Sequence, residues 1–122
     1  MTPEAQAQNA VRLAASQAGA RLWRNNLGAG KLDNGSFVRW GLANDTAALN
    51  DHIKSGDLIG IRPVLITPAH VGQVLGVFVS REVKRPGWRF RPNDKREAAQ
   101  QRWIELVRSL GGDAAFTTGE WI

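Results

Sequence analysis

The sequence predicts a small mixed α/β domain, with helices packed on a sheet. Three observations carry this. A helix-start signal and an Ala-rich run open the chain. A second capped, amphipathic stretch lies near its end. Between them sits a run of apolar β-formers, Val77-Phe78-Val79. The 122 residues suit one domain over 1–122, and 43% hydrophobic residues suffice for one modest core.

The elements follow in order. Thr2 caps a helix, Pro3 suits its first position and Glu4 favours the positive end of its dipole; the helix runs to about Ala18 and stops at Gly19. Its apolar stripe is Ala7, Val11, Ala14, Ala15 and Ala18. Continued backwards at helical spacing, the stripe takes in Glu4 and Gln8, which turns Glu4 inward or along the inner edge. The plain role of a helix N-terminal acid accounts for Glu4 equally well. Ala20 to Asn26 reads as a strand with Leu22 inward. Leu27 to Ser36 reads as a loop with a turn at Asn34-Gly35, and Phe37 to Gly41 as the second strand of a hairpin. Leu42 to Ser55 is polar and irregular, with a short helical turn near Thr46 to Leu49.

Gly56-Asp57-Leu58-Ile59-Gly60 reads as the start of a buried strand containing one acid, and a buried carboxylate is costly unless a metal or a lysine compensates it. Val64 to Gly72, with Pro63 and Pro68 on its flanks, reads as a strand fragment and a loop. The central strand spans Leu75 to Arg85 and ends at Pro86-Gly87. Gly87 to Pro92 is a basic, aromatic linker. Asn93 or Asp94 then caps a helix to Leu110, with Asp94 and Glu97 resembling a capping box and Gly111-Gly112 ending it. Ala99, Trp103, Leu106, Val107 and Leu110 form its apolar stripe. Gln100 lies beside that stripe, and Gln101 falls on the solvent side. Asp113 to Thr118 is a last short strand.

Composition narrows the chemistry. There is no Cys and there are two His, which excludes disulfides and thiolate sites and disfavours a His-rich zinc site. A metal site must be built from carboxylates, which favours Mg²⁺ or Mn²⁺. A net charge of +5 and a pI of about 10.7 point to a polyanion, most often nucleic acid; plain surface solvation is the alternative. No stretch approaches the ~18 apolar residues that span a membrane. Glu4 and the absence of a basic start argue against a signal peptide, so the expectation is a soluble, intracellular protein.

Alternation along the central strand puts Glu82 and Lys84 on one face and Val83 on the other, with Val77, Val79 and Val83 assigned to the core. Glu4, Asp57 and Glu82, with Lys84, are the residue types that phosphodiester hydrolysis needs. Carboxylates hold metal ions that activate water and clamp the phosphate, and a lysine orients the water or stabilises charge.

Asp57 in GDLIG, followed by Glu82-Val83-Lys84, resembles the signature of the PD-(D/E)xK nucleases, with Gly56 where a proline usually stands. More particularly, the chain resembles the virus-type replication-repair nuclease (VRR-NUC) domain. The matching pieces are Glu4 with Gln8, RLWRNNLGAG at Arg21 to Gly30, GDLIG and EVKRPG at Glu82 to Gly87. A helix with Gln100, Trp103, Ile104 and Val107, closed by Gly111-Gly112, completes them. These cover nearly the whole chain, as in stand-alone phage and bacterial copies. The resemblance implies a restriction-endonuclease-like core, a small mixed sheet flanked by helices. It implies a metal-dependent DNA endonuclease acting on flaps or four-way junctions in repair, typically a homodimer, in a bacterial or phage-infected cytoplasm. It makes Glu4, Asp57, Glu82 and the Val83 carbonyl metal ligands, Lys84 the catalytic lysine and Gln100 its helix glutamine, with Gln101 the fallback.

Basic residues near such a site are the candidate DNA contacts: Arg24, Lys31, Arg39, Lys54, Arg85, Arg89, Arg91, Lys95 and Arg96, with Asn26 as a polar one. Trp88 and Phe90, set among arginines, are candidates to stack on unpaired bases. Trp23, Trp40, Trp103 and Trp121 are assigned to a core or a dimer interface. The competing readings are a non-catalytic nucleic-acid-binding module on the same fold, an RNA-directed nuclease, and a structural domain of a phage particle.

Overall fold

The computed structural model describes residues 1–120; Trp121, expected in a core or an interface, lies outside the described residues. The described chain is mixed α/β and forms two compact units, Met1–Gly60 and Ile61–Ile122.

In the first unit α1 (Pro3–Gln17) begins as its sequence dictates, with the Thr2 hydroxyl accepting from the Ala5 N–H at 3.1 Å. Its inner face differs from the expected stripe. Ala5, Gln8, Arg12 and Ala15 are half-buried at helical spacing, whereas Val11 and Leu13 are more than half exposed and Glu4 points to solvent. Alanine methyls carry little apolar area, so the stripe they draw is weak. Arg12 sits on the inner face instead, donating Nε to the Leu22 carbonyl at 3.4 Å.

β1 (Arg21–Arg24) lies beside β4 (Leu58–Ile61), and the Asn25 N–H continues the pairing to the Asp57 carbonyl at 2.9 Å. Gly60 is where the two strands approach most closely, because a Cβ there would overlap the Arg21 carbonyl. The expected loop 27–36 instead contains a strand, β2 (Gly28–Lys31), which forms an antiparallel hairpin with β3 (Phe37–Trp40). Two glycines and an alanine gave it no β signature. The Trp40 indole occupies the space over Gly28, directly opposite it in the register. The turn at Asn34-Gly35 is as expected, with Gly35 left-handed at φ 85°. Asn44 is buried and fully used. Its Nδ2 donates to the Gly28 and Trp40 carbonyls, and its oxygens accept from Arg39. The short helix expected near Thr46 is α2 (Ala47–His52), capped by the Thr46 hydroxyl.

The second unit is a parallel strand–helix–strand crossover: β5 (Val79–Val83), α3 (Lys95–Ser109) and β6 (Asp113–Thr117), with β5 and β6 parallel. Ahead of it, 62–78 holds no strand, only a 3-10 turn at Pro68–His70, so the fragment expected at Val64 to Gly72 is absent and β5 is shorter than Leu75 to Arg85. Two prolines and two glycines in this stretch interrupt pairing.

α3 is capped by Asp94, whose Oδ1 accepts from the Glu97 N–H at 3.0 Å, and stops at left-handed Gly111. Ile104 and Val107 on its inner face and Ala114 on β6 are buried; the two larger side chains each stabilise by about 1.5–3 kcal/mol. Gly112 lets the chain turn tightly from α3 into β6: a Cβ there would lie 2.6 Å from Val107 Cγ1 and 3.2 Å from the Phe78 carbonyl oxygen. The valines of β5 are not core. Val77, Val79 and Val83 are 59%, 39% and 67% exposed, because α3 covers the opposite face, that of Phe78, Ser80, Glu82 and Lys84. The alternation was right and the assignment of faces was reversed.

Candidate active site

α3 descends along β5 as the strand climbs, and side chains meet in rungs. Trp103 touches Phe78 edge-to-face at 6.4 Å and donates Nε1 to Ser80 Oγ at 2.9 Å. One turn earlier, Gln100 meets Glu82 and Lys84. One turn earlier again, Glu97 meets Trp88. Helix positions 97, 100 and 103 face strand and loop positions 88, 84, 82 and 80 because three helical residues and two strand residues advance by comparable lengths.

The central rung is a hydrogen-bonded chain. Lys84 Nζ donates to Gln100 Oε1 at 2.8 Å, and Gln100 Nε2 donates to Glu82 Oε1 at 2.8 Å. The lysine and glutamate are themselves 3.7 Å apart. The amide is thereby oriented, its carbonyl to the cation and its NH₂ to the carboxylate. Lys84 is held from behind as well. Its backbone N–H donates to the Thr117 carbonyl at 2.8 Å, and its ammonium lies 5.6 Å from the Trp88 ring centroid and 5.8 Å from that of Phe116. Its side chain is only 17% exposed, whereas that of Glu82 is 38% exposed. Beside Glu82 a hollow of about 340 Å³ is lined by Arg96, Ala99, Gln100 and Trp103.

The loop before α3 is locked by Glu97, a buried carboxylate with every acceptor engaged. Oε1 takes the Trp88 indole N–H at 3.2 Å and the Arg91 backbone N–H at 3.0 Å; Oε2 takes Arg91 Nε at 2.9 Å and Nη2 at 2.7 Å. Burial pushes the Glu97 carboxyl up, and the hydrogen bonds and charge of Arg91 outweigh it, so the group lies below its usual value. Sequence reasoning saw Glu97 only as half of a capping box. The signal was its spacing: 97, 100, 104 and 107 fall on one helical face.

The expected metal ligands divide between the units. Glu4, in the first turn of α1, and Asp57, just before β4, belong to the first and are exposed, so Asp57 is not the buried acid expected; Glu82 and Val83 belong to the second. Among the described residues no three of Asp, Glu and His gather as a metal-holding set. Within the second unit the donor chemistry does suit Mg²⁺ or Mn²⁺. Glu82 Oε2 accepts no hydrogen bond among the described residues. The Phe78 carbonyl and the Lys84 N–H both point to β6, so the intervening alternation turns the Val83 carbonyl to the opposite edge of β5. Such ions accept one or two carboxylates and retain several waters.

The candidate DNA contacts also sort themselves. Arg24, Asn26 and Lys31 are exposed; Arg39 is spent on Asn44, and Lys54 on the Asn50 carbonyl and side chain. Arg85, Arg89, Lys95 and Arg96 are exposed, while Arg91 is committed to Glu97 and Asp94. Gln101 faces solvent, so Gln100 is the glutamine in the site. Trp88 and Phe90 are not free platforms: both pack on Phe116, with centroids at 4.7 and 5.8 Å. Trp103 is half-buried against β5 and Trp23 half-buried, but Trp40 is 48% exposed. Of the five net positive charges, four belong to the second unit, with ten Lys and Arg against six Asp and Glu.

No helix among the described residues is long and apolar enough to cross a membrane. No family model, curated protein or solved structure matches this chain.

Proposed function

We propose that this chain is a divalent-metal-dependent nuclease of the PD-(D/E)xK kind, resembling VRR-NUC domains, that hydrolyses phosphodiester bonds in DNA. The observation that supports it is the chain Glu82–Gln100–Lys84. A carboxylate with one oxygen left over, and a cation with two N–H donors left over, are fixed by one amide beside a hollow that also holds Arg96. Glu82 Oε2 and the Val83 carbonyl would hold Mg²⁺ or Mn²⁺, which would supply an acidified water and charge compensation for the phosphate. Lys84 keeps its ammonium within reach of a phosphate oxygen or the attacking water, where it stabilises developing negative charge. Gln100 holds Lys84 and Glu82 in register, so neither searches among rotamers during reaction. The positive surplus of the second unit draws the polyanion in. A branched substrate and a homodimeric assembly come from the resemblance and are part of the proposal.

The test is a cleavage panel of four-way junctions, flaps, duplexes and the corresponding RNAs in Mg²⁺ or Mn²⁺, with EDTA as control. Cleavage that EDTA stops and Lys84→Ala abolishes supports the reading. Salt-sensitive binding without cleavage replaces it with the non-catalytic module, and equal cleavage by Lys84→Ala overturns it.

A further inference from the structure

Among the described residues Trp88 is the side chain that touches both ends of the site's framework. Its ring face lies under the Lys84 ammonium at 5.6 Å, and its indole N–H donates to Glu97 Oε1 at 3.2 Å. Its ring also leans on Phe116 at 4.7 Å. It is brought there by a local device. Arg85-Pro86-Gly87-Trp88 is a tight turn, closed by the Trp88 N–H on the Arg85 carbonyl at 3.1 Å, with Pro second and Gly87 third at φ 84°. That turn folds residue 88 back over residue 84. Glu97 stands one helical turn before Gln100 on the same face of α3, so the indole joins the lysine's strand to the glutamine's helix.

We infer that Trp88 is a positioning residue: its ring face holds Lys84 against Gln100, and its N–H fixes that ring to the buried Glu97. Part of this rests on the nuclease reading, because positioning matters for turnover only if Lys84 serves catalysis. The placement itself does not rest on it. A lysine side chain has four rotatable bonds, and only one direction brings Nζ to Gln100 Oε1. Two ring faces on its other side remove the alternatives while leaving the ammonium's remaining donors unspent, which a carboxylate partner in their place would not do. Trp88 was expected to stack on an unpaired base. With its face toward Lys84 and Phe116 and its edge on Glu97 and Phe90, it acts inside the protein instead.

The experiment has an arm that needs no substrate. The rate at which an N-hydroxysuccinimide ester acylates Lys84 is read by peptide mass spectrometry, with Lys31, Lys54 and Lys95 as internal references. Trp88→Ala raises the Lys84 rate by about fivefold over those references, the factor expected when a partly desolvated cation–π contact is lost. Trp88→Phe, which keeps a face and loses the N–H that fixes it, gives a rise smaller than that of Trp88→Ala. Phe116→Leu, which removes the second face and leaves the turn intact, gives a smaller rise and serves if Trp88→Ala does not fold. A Lys84 rate unchanged in folded Trp88→Ala or in Phe116→Leu overturns the inference. So does Trp88→Phe behaving as Trp88→Ala, since the hydrogen bond would then carry the effect alone. In the cleavage arm Trp88→Ala lowers kcat with KM unchanged, and Trp88→Phe restores part of kcat. A parent that cuts no substrate overturns the nuclease reading and leaves the acylation result to decide the positioning role.

Discussion

Gln100→Leu removes the two hydrogen bonds that join Glu82 to Lys84 while nearly conserving volume. Both bonds are 2.8 Å long and charge-assisted, a class worth about 1.5–3 kcal/mol each when buried. The environment discounts them unequally. The Glu82 side chain is 38% exposed, so water replaces the lost donor at little cost. The Lys84 side chain is 17% exposed and backed by two rings, so replacement is incomplete. A net loss of about 1–2 kcal/mol follows, read as a fall in Tm on the order of 5 °C. If the same energy is lost from the transition state, the rate of the chemical step drops by about five- to thirtyfold. The assay is single-turnover cleavage of the best substrate from the panel, at saturating enzyme, beside a thermal melt. KM stays near the parental value because Gln100 orients groups and does not hold substrate. A variant that melts lower but cuts at the parental rate refutes the reasoning, because the amide would then be stabilising the crossover and nothing more.

Arg96→Ala, at the rim of the hollow beside Glu82, lowers the slope of log binding constant against log salt by about 0.7–0.9 if Arg96 meets a phosphate; fluorescence anisotropy at several KCl concentrations measures it, and an unchanged slope rules the contact out. Gly112→Ala drives a methyl to 2.6 Å from the fully buried Val107, and overpacking of about 1–3 kcal/mol exceeds the ~0.4–1 kcal/mol gained by stiffening the unfolded chain. Urea denaturation should show a lower midpoint, and a raised one would refute the close approach. The Arg81 hydrogen bond holds Asp113 below its usual 3.8, against an opposing push from burial and with help from the charges of Arg81 and Arg108. A carboxyl depressed in the folded state gives stability that is complete above its unfolded value and is lost as pH falls through the folded one. Tm measured from about pH 5 down to about pH 2 should therefore fall more steeply for the parent than for Asp113→Asn; parallel curves would show the pair to be idle.

What the sequence announced most clearly were local, self-contained signals. Thr2 and Asp94 cap the helices that their side chains promise, and Gly111 ends α3. Gln100 was set beside the apolar stripe by helical spacing and singled out by the resemblance, and its amide lies between Glu82 and Lys84. Faces were harder to read. Alternation on β5 separates Glu82 from Val83, but an alternating pattern does not say which side a helix will cover, and here α3 takes the polar one. The stripe of α1 misled because four of its five members are alanines. β2 was invisible because Gly28, Ala29 and Gly30 have no β preference, and their strand exists only through its pairing with β3. The inner-face spacing of Glu97 was legible, but its partner Arg91 was not, because Arg91 precedes the helix, where spacing rules do not reach.

From Pro63 to Ser80 the chain carries no Asp, Glu, Lys or Arg, and Val64, Leu65, Ile66, Val71, Val74, Leu75 and Val77 are all exposed. The part of it from Gln73 to Ser80 also lacks proline and is rich in β-formers, the composition of an aggregation-prone window. Arg62 and Arg81 flank the stretch as gatekeepers, and Arg81 is already paired with Asp113. Colloidal behaviour thus depends on the net positive charge of the rest of the molecule. Salt screens the repulsion between copies that this charge provides. Purification at high ionic strength therefore brings the protein closer to precipitation through this window, and low salt keeps it dispersed.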